Sequence, residues 1–452
     1  MNQYSFSEAE WEACIKVLTA LKESPFENPD NQLFKTLITS IHKKAKKNIR
    51  KSDYEIKRNE DAEKIASTII ISNAQNNTSF YQHEKNETIK EFTLLNHAQN
   101  CYSCNKEYSL LHFFYHKLCP HCARFNYTQR QIEPDFKDYQ VIITGGRVKI
   151  GYSTALKFLR AGAKVLVSTR FPGLALEQFS HENDFSEWKE NLILYGLDLR
   201  NIKAVYDFVD FCKQTLPCVD ILINNAAQTI KYPAEYYQPL IQREQQNLLH
   251  FEDQKLIGND TPITLKQEQL LDSVNLSDFK TNRFGQPVDY RAMNSWNSKL
   301  EEIGLEELLE VNFINHISPY ILISELEGLM SKSPQNERFI INVTSSEGQF
   351  SYANKTVYHP HTNMTKAALN MLTRTSAADY VKKNIYMNSV DVGWISTGAN
   401  EEKRSRLFEK HCIPPLDSVD GAMRIIHPIL EIRNGNSELF GKLLKNYQEV
   451  DW

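Results

Sequence analysis

From Tyr139 onward the chain alternates short Val/Ile-rich runs with longer stretches of helical periodicity, and that alternation leaves few architectures open. The runs QVIIT, AKVLVST, LILYGLD, VDILINN, RFIINVT and IYMNSVD read as six successive strands. Each is apolar along most of its length instead of at every second residue, the pattern of a strand covered on both faces. Strands of this kind joined by helices form βαβ units, so the fold class is α/β with a doubly wound parallel sheet, and ligands are expected beyond the carboxyl ends of the strands. Between Asn225 and Asn312 the spacing far exceeds one crossover, and roughly 60 residues within about 230–300 read as an insertion.

Upstream of the sheet, Trp11, Ile15, Leu18 and Leu21, then Leu33, Leu37 and Ile41, recur at helical spacing. Residues 1–90 are read as a small helical region, with the amide-rich stretch 73–86 as a loop at its end. Residues 91–130 hold Cys101-x2-Cys104, fourteen residues, and Cys119-x2-Cys122, close to the four-thiolate zinc spacing. Four thiolates close a tetrahedron and leave no position for water, so a zinc there would be structural, in a zinc-ribbon-like module. A redox CxxC is the competing reading. Tyr108, Phe113, Phe114 and Tyr115 would pack this ribbon, and His112, His116 and His121 are spare ligands read as bystanders. The sheet domain is taken as residues 137–452.

Charge adds little direction, because 52 basic residues stand against 56 acidic ones, for a formal charge of −4. The basic run Lys43–Lys51 reads mainly as a solvated helix face, although with the zinc module it leaves a nucleic-acid partner open. No apolar run approaches the roughly 18 residues of a membrane span. The start MNQYSFSEAEWEAC is acidic and polar, unlike a secretory signal, so a cytoplasmic protein is expected.

After the first strand comes Thr144-Gly145-Gly146-Arg147-Val148-Lys149-Ile150-Gly151, opening a helix near Tyr152. Such a turn lets main-chain amides approach a pyrophosphate, and the helix terminus adds a favourable dipole. At the end of the second strand, Ser168-Thr169-Arg170 offers a guanidinium where a carboxylate would bind a ribose 2′-hydroxyl, which with Arg147 favours NADP(H) over NAD(H). The turn resembles the TGxxxGxG element of the short-chain dehydrogenases, a Rossmann-type family, with Lys149 in place of its middle glycine. The ammonium faces either phosphate or solvent.

The resemblance continues in order over about residues 137–450. Asp198, followed by Leu199, matches the family's aspartate near adenine. Asn224-Asn225-Ala226-Ala227 matches its NNAG strand end, and Gly393-Trp394-Ile395-Ser396-Thr397 its segment beside the nicotinamide carboxamide, with Val392 replacing proline. The family's asparagine, serine and lysine fall on Asn312, Ser345 and Lys366, whereas its tyrosine position is Thr362. A tyrosine near pKa 10 can be brought toward neutrality by a neighbouring ammonium, and a threonine hydroxyl cannot. Tyr358, His359 and His361 are upstream substitutes, with Tyr358 and His361 the leading candidates for the proton donor. The resemblance implies an NADP(H)-dependent oxidoreductase of carbonyl or alcohol substrates that forms a homo-oligomer. The alternative is an inactive NADP(H)-binding sensor or scaffold whose zinc module and insertion engage a protein or nucleic acid.

Overall fold

The computed structural model of the chain describes residues 5–22, 32–75, 90–250, 256–259, 281–282, 284–353, 355–396, 398–409 and 412–452. Its contacts divide into two units, Met1–Lys64 with Leu95–His97, and Ile65–Leu94 with Ala98–Trp452. The first unit contains α1 (Glu8–Ala20) and most of α2 (Gln32–Ala66). Ser7 starts α1 with a capping box, its hydroxyl accepting from Glu10 N–H while the Glu10 carboxylate accepts the Ser7 N–H at 2.7 Å. On α2 the Asp61 carboxylate accepts the main-chain N–H groups of Asn96 (2.7 Å) and His97 (2.9 Å). Of the apolar residues that mark these helices, Trp11, Ile15, Leu33, Leu37 and Ile41 are exposed and Leu18 and Leu21 half-buried, and the run Lys43–Lys51 is exposed.

The second unit begins with the end of α2 and α3 (Ile69–Gln75), which takes up the first residues of the stretch expected as a loop; 76–89 lie outside the described residues. Ile70 of α3 is buried in the main core, so the division falls after Lys64 instead of near residue 90. Next come the antiparallel pair β1 (Phe92–Asn100) and β2 (Glu107–His112), with a register shift between Leu94 and Gln99, and α4 (Pro120–Arg130), which starts directly after Cys119. Phe114, Tyr115 and Tyr108 do not form a private core for this module. They are buried in one cluster with Val141, Ile143 and Phe158 of the sheet domain.

The sheet domain starts β3 (Gln140–Thr144), α5 (Lys149–Arg160), β4 (Lys164–Thr169), α6 (Pro172–Ser180), α7 (Phe185–Trp188), β5 (Leu192–Gly196), α8 (Ile202–Thr215), β6 (Ile221–Asn224). The insertion supplies α9 (Ala234–His250) and β7 (Ile257–Asn259); much of the rest of it, 251–255, 260–280 and 283, lies outside the described residues. Then follow α10 (Leu305–Asn312), α11 (Ser318–Met330), β8 (Arg338–Thr344), α12 (Pro360–Tyr380) and β9 (Ile385–Asp391). The chain closes with α13 (Glu401–Glu409), α14 (Ser418–Arg433), β10 (Leu443–Lys445) and β11 (Gln448–Val450).

These strands form a nine-stranded sheet in the order β11-β10-β9-β8-β6-β3-β4-β5-β7, and only the β10–β11 pair is antiparallel. All six strands expected from the sequence are present. Val141, Ile143, Val165 and Val167 are buried on one face with Leu156 and Phe158 of α5, and Ile142, Leu166 and Leu222 on the other with Val205 and Phe208 of α8. Burial on both faces explains the continuous apolar runs, each large side chain contributing roughly 1.5–3 kcal/mol. The chain crosses from one side of β3 to the other between β5 and β6, which places the switch point at the carboxyl ends of β3 and β6. Among the described residues no helix is long and apolar enough to cross a membrane.

The cysteine module is fixed to α14 by a buried ionic cluster. Arg130 Nη1 lies 2.5 Å from Asp417 Oδ1 and 3.1 Å from Asp420 Oδ1, and the Tyr115 hydroxyl donates to Asp420 at 2.6 Å. Asp417 also accepts the N–H groups of Val419 and Asp420, capping the helix. Removing the cation would leave two buried carboxylates without the charge that offsets theirs. Arg130→Met is therefore expected to lower unfolding free energy by about 3–5 kcal/mol in urea titrations, whereas Arg124→Met, which breaks the exposed pair with Glu91, leaves the midpoint nearly unchanged.

Candidate functional site

At the switch point, side chains knot the two strand ends together. Thr144 Oγ1 accepts the N–H groups of Asn225 (3.1 Å) and Ala226 (3.0 Å), and Asn225 Nδ2 donates to the carbonyls of Thr144 (3.0 Å) and Gly145 (3.2 Å). Gly145 has φ +69°, and a Cβ on it would stand 2.9 Å from Ala226 Cα. A Cβ on Gly151 would come within 2.3 Å of the Gly145 carbonyl, so only glycine lets α5 approach this turn. Lys149, which replaces the expected middle glycine, still takes the left-handed conformation at φ +53°. Its ammonium lies 5.2 Å from the Phe284 ring centroid in the insertion. Ile150, next in the turn, contributes side-chain atoms 3.1 Å from where a Cβ on Gly421 of α14 would stand.

Beyond β4, Arg147 is buried against the Phe171 ring at 5.4 Å, and Arg170 lies over Tyr237 of α9 at 4.7 Å. Burial and the neighbouring Arg170 lower the Arg147 guanidinium to about 10. Thr169 Oγ1 accepts the Phe171 N–H. Glu244, a residue of the insertion that sequence reasoning passed over, is buried and receives the Gly173 and Leu174 N–H groups at 2.7 Å each, holding the start of α6. Burial raises its pKa, against which those two amides and Arg147 act. Asp198 is engaged by Arg200 at 2.6 Å, and the Leu199 carbonyl accepts the Ser318 hydroxyl. Burial would raise the Asp198 pKa, but the bonds from Arg200 outweigh it and keep the carboxylate ionised.

Past β8, Lys366 of α12 is buried, donates to the Val343 carbonyl at 2.8 Å, and is lowered by burial to about 8. Glu347 also escaped sequence reasoning. Although burial disfavours its charge, the neighbouring His359, with Nε2 at 3.9 Å, and the Ser345 hydroxyl outweigh it and bring the pKa down to about 2. His359 itself has φ +42° at the start of α12, stacks on Trp296 at 4.6 Å, and places Nδ1 2.9 Å from the Trp296 carbonyl. Since a carbonyl only accepts, Nδ1 carries a proton.

His361 is buried, with Nε2 3.0 Å from the Thr229 carbonyl and Nδ1 without a partner among the described residues; burial lowers its pKa and keeps the ring neutral. Thr362 is buried and its hydroxyl also finds no partner there. Tyr358 is 40% exposed. Asn312 turns its amide back to the Leu308 carbonyl at 2.6 Å, and the helix then widens into π turns over Phe313–Ile317. Within that bulge Asn315 bonds the Gln228 main chain and the Thr365 hydroxyl. Gly393 (φ +83°) and Ile395 follow β9, and Thr397 lies outside the described residues. A cleft of about 340 Å³ has Lys231, Arg291, Ser295, Ser298 and Glu307 in its walls.

The ligand atoms of Cys101, Cys104, Cys119 and Cys122 all lie within 4.8 Å of one another, with the Cys104 and Cys119 sulfurs 3.7 Å apart. A tetrahedron with metal–sulfur bonds of about 2.3 Å has edges of about 3.8 Å, so this cluster could hold a metal ion. Burial, then Cys101, pushes the Cys122 thiol well up, whereas at Cys104 hydrogen bonds led by the Lys106 N–H outweigh burial and lower it. His112 and His116 are occupied elsewhere, His112 accepting the Phe114 N–H and His116 meeting the Ile413 carbonyl at 3.1 Å.

The short chain dehydrogenase family model matches residues 139–244, and the enoyl-(acyl carrier protein) reductase model matches residues 288–412. An uncharacterized protein of Acanthamoeba polyphaga mimivirus is 31% identical over 359 residues, covering 73% of this chain and 71% of that protein. Chlorophyll(ide) b reductase NOL of Oryza sativa subsp. japonica is 33% identical over 113 residues, 25% of this chain and 31% of its own length, so the chain spans about a third of it. An NADPH-bound carbonyl reductase from chicken fatty liver is similar in structure at a TM-score of 0.43 and 18% identity, covering 70% of this chain and 100% of that one. Two family models matched in chain order, on either side of an insertion, make this chain a divergent member of the short-chain dehydrogenase/reductase family.

Proposed function

We propose that the chain is an NADP(H)-dependent oxidoreductase of a small carbonyl or alcohol substrate, with a structural zinc held by Cys101, Cys104, Cys119 and Cys122. The pair Arg147 and Arg170 carries this reading, because a buried guanidinium in the turn after β3 whose charge the nearby Arg170 disfavours suits a 2′-phosphate. The glycine turn fits the pyrophosphate, as any Cβ on Gly145 or Gly151 would close it. Asp198, Leu199, Asn225 and Ala226 would line the adenosine side, and Gly393, Ile395 and Thr397 the nicotinamide side. A cytoplasmic location and a homo-oligomer belong to the same proposal.

Bound NADPH would supply a hydride to the carbonyl carbon. The protein's part is to place the substrate and deliver a proton to its oxygen, and the chain Ser345–Glu347–His359 supports that role better than Tyr358 or His361. Glu347 stays ionised between a serine hydroxyl and an imidazole that already carries a proton on Nδ1. His361 likewise gives its one N–H to a carbonyl, that of Thr229, but burial lowers its pKa and opposes a second proton on the ring. Lys366 would hold ribose hydroxyls, and Asn312 and Asn315 shape the helix behind it. A second reading, a nucleotide sensor without turnover, is favoured by the Thr362 hydroxyl at the tyrosine position, which has no partner among the described residues.

Arg147→Ala or Arg170→Ala is expected to weaken NADPH binding by roughly ten- to a hundredfold in fluorescence titration while leaving NADH nearly unchanged. Equal loss for both dinucleotides would refute the phosphate assignment. In a carbonyl-reduction panel, His359→Gln should cost on the order of a hundredfold in kcat, with Tyr358→Phe and His361→Ala much closer to the parent. Tight NADPH binding with no turnover by the parent on any substrate would select the sensor. Lys366 loses its proton as pH rises through about 8, so NADPH affinity should fall above that pH, a step that Lys366→Met lacks.

A further inference from the structure

The four-cysteine knuckle and the segment after β9 touch through one side chain. Tyr102, between Cys101 and Cys104, accepts the main-chain N–H of Trp394 on its hydroxyl at 2.7 Å. The knuckle holds Tyr102 in turn, because its N–H donates to the Lys117 carbonyl (2.8 Å) and the Cys101 N–H to the Lys106 carbonyl (2.9 Å). A Cβ on Gly393 would stand 3.3 Å from the Tyr102 oxygen and 2.8 Å from Leu416 Cδ1, so the tyrosine packs directly on the glycine. On the other side Asp391 accepts the Gly393 N–H at 2.9 Å. The Lys117 ammonium lies 5.7 Å from the Trp394 ring centroid.

A second grip runs through α14. Arg130 and Tyr115 of the module hold Asp417 and Asp420 at the helix start. One turn on, a Cβ at Gly421 would come within 2.6 Å of Ile395 Cδ1 and 3.1 Å of Ile150 Cγ1. The first turn of α14 is thus pressed between the segment after β9 and the glycine turn after β3. Both grips end on the Gly393–Ile395 segment.

We propose that the four-cysteine knuckle positions the nicotinamide end of the dinucleotide cleft, with Tyr102 as the positioning residue that fixes the Gly393–Trp394 turn. The proposal rests on the reading above, in which Gly393 and Ile395 face the nicotinamide. With zinc in place the four thiolates fix the Cys101–Cys104 turn and with it the tyrosine oxygen. Metal occupancy and NADPH affinity are then linked, each strengthening the other, while the adenosine end of the cleft, built on β4 and α6, stays independent.

The test uses the zinc-loaded full chain and two ligands, NADPH and its adenosine-bisphosphate half, which lacks nicotinamide. Tyr102→Phe removes one acceptor and keeps the ring. It should leave zinc content unchanged, weaken NADPH by roughly five- to tenfold, and leave the adenosine half bound as before. In the parent protein, zinc withdrawal by a chelator, followed with a colorimetric zinc reporter, should weaken NADPH in step with metal release and spare the adenosine half. Unchanged NADPH affinity in both arms overturns the proposal, as does an equal loss for both ligands, which would mean general loosening. If the zinc-loaded parent binds neither ligand, it is the nucleotide reading itself that has failed.

Discussion

A buried arginine shared by two aspartates holds the second unit of this protein to its form. Taking Arg130, Asp417 and Asp420 out of water costs several kcal/mol for each ion, and their attraction repays this only because the geometry is close and the remaining oxygens are bonded. Tyr115 and the first amides of α14 supply those bonds. The helix terminus adds a positive potential that favours both carboxylates. What the cluster provides is placement: a small module without a core of its own docks on the sheet domain in one orientation, and its aromatic residues complete the domain's main core.

The insertion works on the opposite flank by electrostatics. Arg147 stands beside Arg170 at an energetic cost, since neither burial nor the second cation favours its charge. Helix α9 moderates that cost with Tyr237 under Arg170 and with Glu244, whose carboxylate is already committed to the amides of α6. The result is a basic surface braced on one side by aromatic rings and on the other by a helix that has its own resident anion. A crossover of ordinary length would give neither support.

Much of the fold was legible because six strands buried on both faces leave an unmistakable mark in composition. The three-residue strands β7, β10 and β11 were not, since segments such as Ile257–Asn259 are too short to carry any period. At the site, residues tied to main-chain geometry could be read: the glycines at 145 and 151, Thr144 and Asn225 form the turn their order suggested. Lys149 shows the limit, because its side chain departs from the pattern while its backbone keeps the left-handed conformation. Glu347, Asn315 and Glu244 were missed for one reason. Their partners lie 12, 50 and 71 residues away in the chain, and no local spacing announces such contacts. The module's aromatics were seen, but whether they packed on each other or on a neighbouring domain depends on a surface that only the folded chain defines.

The two margins of the large sheet carry a further meaning. Among the described residues one ends in β7 and the other in the β10–β11 hairpin, and the outermost strand on each side is only three residues long. A margin so short offers few unpaired amides and carbonyls to a passing copy, which suppresses strand-to-strand addition and the aggregates that grow from it. Self-association of this chain would therefore be left to its helices, whose side chains can discriminate between partners in a way that a bare backbone ladder does not.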